Sequence, residues 1–320
     1  MTALMKVIDP GLHTTIQDLG RHGYQEFGIG PSGPMDPWAF KLANLLAGNN
    51  QKEAVLEITM VGPTVLFMEN TVISLAGANL SPTIDGKKVM MWQSIYVKKG
   101  QELRFGKPKH GARSYLAIAG GIQTDKILGS RATNVRAVLG GVDGEALNSR
   151  DEVPGIVLKD SILKKRGGKH LSHSLRAYYR PHQIVRVIPD EQAAFFTQDS
   201  QEDFYNETFK ITAQSDRMGY RLEGKGLERK KDGEILSDAV AFGSIQVPRG
   251  GAPIILMADR QTTGGYPKIG TIISHDLWRV AQLLPGQTIT FEKTTLEEAH
   301  RCLEAEANVC KVLEMAIKQR

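Results

Sequence analysis

The sequence predicts a mainly β protein, built as barrels or sandwiches with a few helices. Three observations carry this. Most apolar stretches are four to six residues long, such as V-I-S-L-A, Q-S-I-Y-V, E-L-R-F, S-Y-L-A-I-A, I-V-R-V-I, F-K-I-T-A, S-I-Q-V and P-I-I-L-M-A. Each is bounded by Gly, Pro, Asp or Lys, the punctuation of short strands. The 33 glycines supply many tight turns. Strands do not alternate with long helical patterns, which rules out a doubly wound parallel sheet.

A chain of 320 residues suggests about two domains of roughly 150 residues each. A composition that is 41% apolar supports ordinary cores. The best boundary lies in 159–182, where Lys164, Lys165, Arg166, Lys169, Arg176 and Arg180 accompany Gly167-Gly168 and three histidines. This cluster reads as a solvated interdomain loop or as a patch that binds phosphate or nucleic acid, and the loop is the favoured reading. The expected division is a first domain over 1–170, a second over 171–293 and a terminal helix over 294–320. Asp85-Gly86 and Asp232-Gly233 both precede apolar stretches, too weak a likeness to establish an internal repeat.

Two helices are legible. Asp36 is an N-cap followed by Pro37 at the first helical position. Trp38, Leu42, Leu45 and Leu46 then share a face, and Gly48 stops the helix. The second helix starts at Thr295 with Glu298 completing a capping box. Its apolar stripe is Leu296, Ala299, Leu303, Cys310, Leu313 and Ile317, expected to dock on its own domain.

Charge and motifs exclude several classes. Forty Lys and Arg against 35 Asp and Glu leave +5, and aromatic residues are not interleaved with the basic ones, so no nucleic-acid partner is expected. No apolar run reaches the roughly 20 residues of a membrane helix, so no membrane partner is expected either. The first residues lack a signal peptide's apolar core. Cys302 and Cys310 stand eight positions apart on one helix, about 12 Å, too far for a disulfide. A reduced cytoplasmic protein is expected. There is no phosphate-binding G-x-x-x-x-G-K-[ST] loop. Ser32 sits in G-P-S-G-P, not in a nucleophile elbow. His170 and His173 lack neighbouring carboxylates or thiols, so no metal is expected. Met5-Lys6 is like the dipeptide of a biotinylation site, but only five residues precede the lysine, and no covalently bound cofactor is expected.

Polar residues concentrate in a few stretches. H-T-T-I-Q-D-L-G-R-H-G-Y (13–24) crowds Thr14, Gln17, Asp18 and Arg21 among glycines that demand tight turns. Asp18 and Arg21 read either as a structural pair or as functional groups, and Asp36 either as a cap or as more. In the second half, Q-S-D-R-M-G-Y-R-L (214–222), I-Q-V-P (245–248) and A-D-R-Q-T-T-G-G-Y-P (258–267) place Asp216, Arg217, Gln246, Asp259, Arg260, Gln261, Thr262, Thr263 and Tyr266 beside apolar strands. Isolated charges near a core are costly, so the two Asp-Arg dipeptides are expected to form one ion-pair network. Gly264-Gly265 would let backbone N–H groups approach a ligand.

P-G-L-H-T-T-I-Q-D-L-G-R, S-G-P-M-D-P-W-A-F-K-L-A-N-L-L-A-G-N, L-E-I-T, S-Y-L-A-I-A-G-G-I, L-G-S-R-A-T, S-D-R-M-G-Y-R-L-E-G, I-Q-V-P and A-D-R-Q-T-T-G-G-Y-P-K-I-G follow one another in order. Together they resemble the KipA/PxpC family, also called the allophanate hydrolase subunit 2 family, a biotin-dependent carboxyltransferase-like group. The resemblance runs to about Phe291. Two positions depart from it: Glu145 stands where the arginine of a G-R pair is expected, and Arg150 precedes Asp151 where a glycine is expected.

The resemblance implies two cyclophilin-like β-barrel domains. It also implies the C subunit of a bacterial ATP-dependent 5-oxoprolinase, inactive alone. That enzyme acts with a KipI-like B subunit and a LamB/YcsF-type A subunit on a small lactam, and the complex uses ATP. Two alternatives stay open: a regulatory protein that antagonises a KipI-like kinase inhibitor, and the carboxyltransferase component of a biotin-dependent urea or amide carboxylase. For amide chemistry, Asp259, Arg260, Gln261 and Asp18 are the candidate catalytic residues. Gln17, Arg21, Ser32, Asp216, Arg217, Gln246, Thr262, Thr263 and Tyr266 are candidates for substrate binding. A carboxylate can accept an N–H proton, and guanidinium, amide and hydroxyl donors can hold an oxyanion. P-I-I-L-M-A is apolar throughout and should be covered on both faces, so the polar burst after it should emerge at the strand's end. The Gln17–Arg21 stretch is expected to reach the same cleft.

Overall fold

The structure, a computed structural model, describes residues 2–230 and 235–318. The Asp232-Gly233 pair lies outside the described residues, as do residues 319–320 of the expected 294–320 helix. The chain divides into two compact units: Met1–Arg21 with Ser32–Tyr179 and Val309–Arg320, and His22–Pro31 with Arg180–Asn308.

The first unit holds β1 (Thr2–Asp9), β2 (His13–Gln17), β3 (Val55–Thr59), β4 (Thr64–Phe67), β5 (Thr71–Asn79), β6 (Thr83–Ile84), β7 (Lys87–Lys88), β8 (Gln93–Val97), β9 (Glu102–Arg104), β10 (His110–Ile118) and β11 (Glu152–Gly155). They form a six-stranded sheet, β11-β1-β4-β9-β6-β7, and a five-stranded sheet, β2-β3-β10-β5-β8. Strand β5 is buried at eight of its nine positions, as expected of a strand packed on both faces. The Asp85-Gly86 turn joins β6 to β7 with both residues at positive φ, 48° and 77°.

Helix α1 (Pro37–Leu46) begins as its sequence predicts: Asp36 Oδ1 accepts from Ala39 N–H at 2.9 Å and Pro37 opens the first turn. Its buried set is wider than one face and includes Asn44, which donates to Glu53 O at 2.7 Å. Helix α2 (Asp160–Arg166) occupies part of the basic segment.

The second unit is a closed barrel of β12 (His182–Pro189), β13 (Phe209–Ile211), β14 (Gly219–Glu223), β16 (Ser244–Gln246), β17 (Ile254–Leu256), β19 (Lys268–Ile272) and β20 (Thr288–Lys293), with β15 (Asp238–Ala239) and β18 (Thr263–Gly264) paired beside it. The strand order β12-β19-β16-β17-β14-β13-β20 closes through a parallel pairing of β20 with β12. Closure leaves no edge, and inward side chains fill the interior. Helix α3 (Gln198–Asn206) adds Phe204, which stacks on Phe291 at 4.4 Å between ring centroids. Helix α4 (Leu277–Ala281) is short.

Helix α5 (Leu296–Lys318) starts as predicted, with Glu298 N–H donating to Thr295 Oγ1 at 3.3 Å. Its buried face differs from the predicted stripe. Leu296 and Leu303 are 54% and 40% exposed, whereas Ala299, Glu306 and Cys310 are buried. Glu306 is held by His275 Nδ1 at 3.1 Å, so a polar residue belongs to this face. Neither Cys302 nor Cys310 is in a disulfide. Among the described residues no helix is long and apolar enough to cross a membrane.

Candidate functional site

In the second unit β17 runs into Met257 and Ala258, both fully buried, before the chain turns polar. The turn is fixed by Arg260 N–H donating to Met257 O at 3.2 Å. Two further backbone bonds join this segment to the loop before β14: Met257 N–H to Met218 O and Asp259 N–H to Arg217 O, both 2.8 Å.

The ion pair that forms is Arg217 with Asp259. Nε and Nη2 of Arg217 reach Oδ2 and Oδ1 at 2.7 and 3.0 Å. Two parallel bonds of this kind fix orientation as well as charge. Asp216, expected to join the network, instead accepts from Met218 and Gly219 N–H at 2.8 and 3.2 Å and so closes its own turn. Those donors follow it within one turn of chain, so the short local bond wins over a distant arginine.

Arg260 is 8% exposed, and its side-chain donors meet two carbonyls. Nε donates to Val240 O at 3.2 Å and Nη1 to Met257 O at 3.4 Å, with the Phe242 ring 5.8 Å away. Among the described residues no carboxylate lies within ion-pair distance of it. Burial therefore lowers its pKa to about 10, although the nearby Asp259 charge pulls the other way. The group stays cationic at neutral pH. A buried cation with no counter-ion is costly, and such groups mark candidate sites for anions or developing negative charge.

Gln246, at the end of β16, is 2% exposed. Its Nε2 donates to Tyr266 O at 3.1 Å and its Oε1 accepts from Gln261 Nε2 at 3.3 Å. Gly264 makes room for it: a Cβ there would stand 2.4 Å from Gln246 Nε2. This glycine thus admits a side chain, where sequence suggested backbone access for a ligand. Thr262 is half-buried, while Gln261, Thr263 and Tyr266 are exposed. The segment His22–Pro31 joins this unit, and a Cβ on Gly30 would lie 3.0 Å from Arg260 O.

In the first unit Gln17, Asp18, Arg21 and Ser32 gather around the loop 130–133. Gln17 is fully buried and bonded at both ends, donating to Thr15 Oγ1 and Thr133 O at 3.1 and 3.0 Å and accepting from Gly33 N–H at 3.1 Å. Asp18 accepts from Ser130 Oγ at 2.5 Å, Arg131 N–H at 2.7 Å and Gly20 N–H at 2.9 Å. Arg21, 1% exposed, donates to Ala132 O and to Ser32 Oγ at 3.4 Å. Ser32 itself sits at φ 59°.

Sequence reasoning missed the partners of these groups. Ser130, Arg131 and Thr133 belong to the quoted L-G-S-R-A-T, but nothing local in that motif points to Asp18. Glu57 and Tyr115 were also missed. Tyr115 accepts from Asp36 N–H and donates to Glu57 Oε2, both at 2.7 Å, and Met35 N–H donates to the same oxygen at 2.8 Å. Tyr179 donates to Asp36 Oδ2 at 3.3 Å. Burial, reinforced by the Glu57 and Asp36 charges, holds the Tyr115 hydroxyl well above its usual pKa, so it stays a donor. Asp36 therefore caps α1 and anchors a buried polar network.

The model of the family described as "Carboxyltransferase domain, subdomain A and B" matches residues 27–293. The chain belongs to this family. This carboxyltransferase-domain chain is 39% identical to the C subunit of 5-oxoprolinase from Escherichia coli K12, over 92% of its own length and 93% of that protein's. It is 37% identical to the C subunit of 5-oxoprolinase from Haemophilus influenzae over the same shares. A crystal structure of K. lactis urea amidolyase superposes with a TM-score of 0.87 at 30% identity, covering 97% of this chain. The chain spans only 20% of that much longer one.

Proposed function

We propose that this chain is the C subunit of an ATP-dependent 5-oxoprolinase, a cytoplasmic complex in which A and B subunits join it to open the lactam of 5-oxoproline to glutamate. The observation that carries the reading is the 39% identity to a protein of that name along nearly the full length of both chains.

The second-unit site suits the chemistry. Amide resonance makes a lactam a poor electrophile, so its opening needs charge stabilised on oxygen and managed on nitrogen. Arg260 supplies a largely buried cation, already mostly desolvated, that can meet an oxyanion with little reorganisation. Its guanidinium has five N–H donors, more than the two carbonyl bonds use. Gln246 and Gln261 hold each other as an amide pair beside it, and Thr262 and Thr263 add hydroxyls. The Arg217–Asp259 pair fixes the turn that carries Arg260. Gln17 and Arg21 act as positioning residues for the Ser32–Gly33 turn, and Asp18 holds the 130–131 loop.

Reconstitution with separately produced A and B subunits tests the reading. ATP-dependent release of glutamate from 5-oxoproline should require all three chains, with this chain alone inactive. Full lactamase activity from the isolated chain would overturn the subunit assignment. Carboxylation of urea by this chain when given carboxybiotin would replace it with the carboxyl-transfer reading that the urea amidolyase likeness favours.

A further inference from the structure

A groove of about 940 Å³ lies in the first unit, between the β6–β7 hairpin, the 89–92 segment and residues 173–178. Its floor and lip are apolar: Trp92 is buried, while Met90 and Tyr178 stand 68% and 72% exposed. Its rim is cationic. Lys88, Lys109 and Arg176 line it, and no aspartate or glutamate is among its described lining residues. Nor does any described carboxylate form a salt bridge with these three cations elsewhere. Lys99, Lys164, Lys225 and Lys268, by contrast, each have a carboxylate partner.

The walls are preformed. Ser81 Oγ donates to Lys107 O at 2.8 Å, Lys109 N–H to Asn79 O at 2.8 Å and Leu171 N–H to Trp92 O at 2.9 Å. Arg176 is held by Leu171 O, which accepts from Nε and Nη2 at 3.1 and 2.9 Å. Trp92 is kept at φ 63°, a backbone state that bulky residues rarely adopt. Exposed methionine and tyrosine over a fixed floor give adaptable apolar contacts, and three unneutralised cations around them select negative charge.

We propose that this groove docks an acidic segment of a partner protein of the complex, with an apolar side chain seated on Met90, Trp92 and Tyr178 and carboxylates facing Lys88, Lys109 and Arg176. The proposal rests on the functional reading above, since it needs a partner chain. Charge complementarity names the occupant's chemistry: a neutral or basic segment would leave the three cations uncompensated. His110 and His173 widen the same rim. Contacts of this kind steer association and weaken with salt.

The test uses full-length chains. Binding of this chain to the purified B subunit, and to A and B together, is measured by calorimetry for wild type, Lys88→Glu/Lys109→Glu and Met90→Asp. All three residues are exposed, so the variants should keep the wild-type melting temperature. The expected result is dissociation about 10- to 100-fold weaker for both variants, with a shallower salt dependence for the charge reversal. A photo-crosslinker at position 90 should attach to an acidic peptide of the partner. Affinities within twofold of wild type, or a crosslink to a basic peptide, would overturn the proposal. If those variants bind normally while the complex still hydrolyses 5-oxoproline, the docking site falls and the functional reading stands. If the groove docks the partner but no hydrolysis occurs, the functional reading falls alone. A wild-type chain that binds neither A nor B overturns both.

Discussion

Arg217 and Asp259 stand 42 residues apart in sequence, yet they form a two-bonded ion pair at 2.7 and 3.0 Å with both side chains largely buried. The pair locks the end of β17 to the loop before β14. Replacing Asp259 by Ala removes the carboxylate that faces a buried guanidinium, and the expected cost is about 3 kcal/mol. Arg217→Lys keeps the charge but loses the fork, so it should cost about 1–2 kcal/mol. Urea denaturation of the two variants checks the order. Arg217→Lys as stable as wild type would mean that the fork geometry contributes nothing.

Arg260 should behave in the opposite way. Its cation is buried against two carbonyls, so Arg260→Met removes a desolvated charge and should leave stability within about 1 kcal/mol of wild type or raise it. Activity of the assembled complex should nevertheless fall about 10- to 1000-fold, the range of a lost charge-stabilising donor. Assembly should be preserved. A variant that unfolds, or one that turns over normally, would remove Arg260 from the site.

Asp276 carries a pH dependence. Burial alone would raise the carboxyl, but bonds from Arg186 Nε and N–H at 2.9 Å, and its charge, prevail and hold it below the ordinary 3.8. A depressed folded-state value stabilises the protein above the unfolded value and loses that stability as pH falls through the folded one. Asp276→Asn should therefore be destabilising at pH 7, by about 2–3 kcal/mol. The gap from wild type should shrink as pH drops below about 4. Denaturation midpoints from about pH 2.5 to about pH 7 measure this. A gap that stays constant with pH would refute the assignment.

Arg150 occupies a position where the sequence resemblance leads one to expect glycine, and it takes φ 81°. That backbone state costs a residue with a Cβ about 1 kcal/mol. Its N–H donates to Val7 O at 2.8 Å, so the conformation is fixed by pairing with β1. Arg150→Gly should raise stability by about 0.5–1 kcal/mol, read as a higher melting temperature. A fall would mean that the guanidinium makes a compensating contribution.

The short strands and α1 are legible because their signals are local: turn residues, a capping aspartate and a proline in register. What stays hidden depends on register between distant strands. Asp18 meets Ser130 and Arg131 more than a hundred positions away, and Arg217 meets Asp259 instead of its neighbour Asp216. No local pattern encodes such pairings. The α5 face departs from its predicted stripe for a different reason. An apolar stripe cannot include Glu306, whose burial depends on His275 from another element. The basic 159–182 segment reads as a solvated loop, but much of it is structural: α2 forms there, Ser94 Oγ donates to Arg166 O at 2.8 Å, and Lys169 Nζ donates to Ile317 O at 2.7 Å.

Gly264 offers a test that separates the site from the fold. A methyl added there would stand 2.4 Å from Gln246 Nε2 and 3.0 Å from Oε1, inside any tolerated contact. The amide must swing away, which breaks its bonds to Tyr266 O and to Gln261. Gln246 is 2% exposed, so a displaced amide in the barrel wall loses partners it cannot replace, at about 1–3 kcal/mol. Gly264→Ala should thus lower stability by that amount and reduce turnover of the assembled complex, because Gln261 loses its anchor beside Arg260. The double variant Gly264→Ala/Gln246→Ala removes the clash and should recover most of the stability without recovering turnover. Recovery of both would show that Gln246 serves only packing.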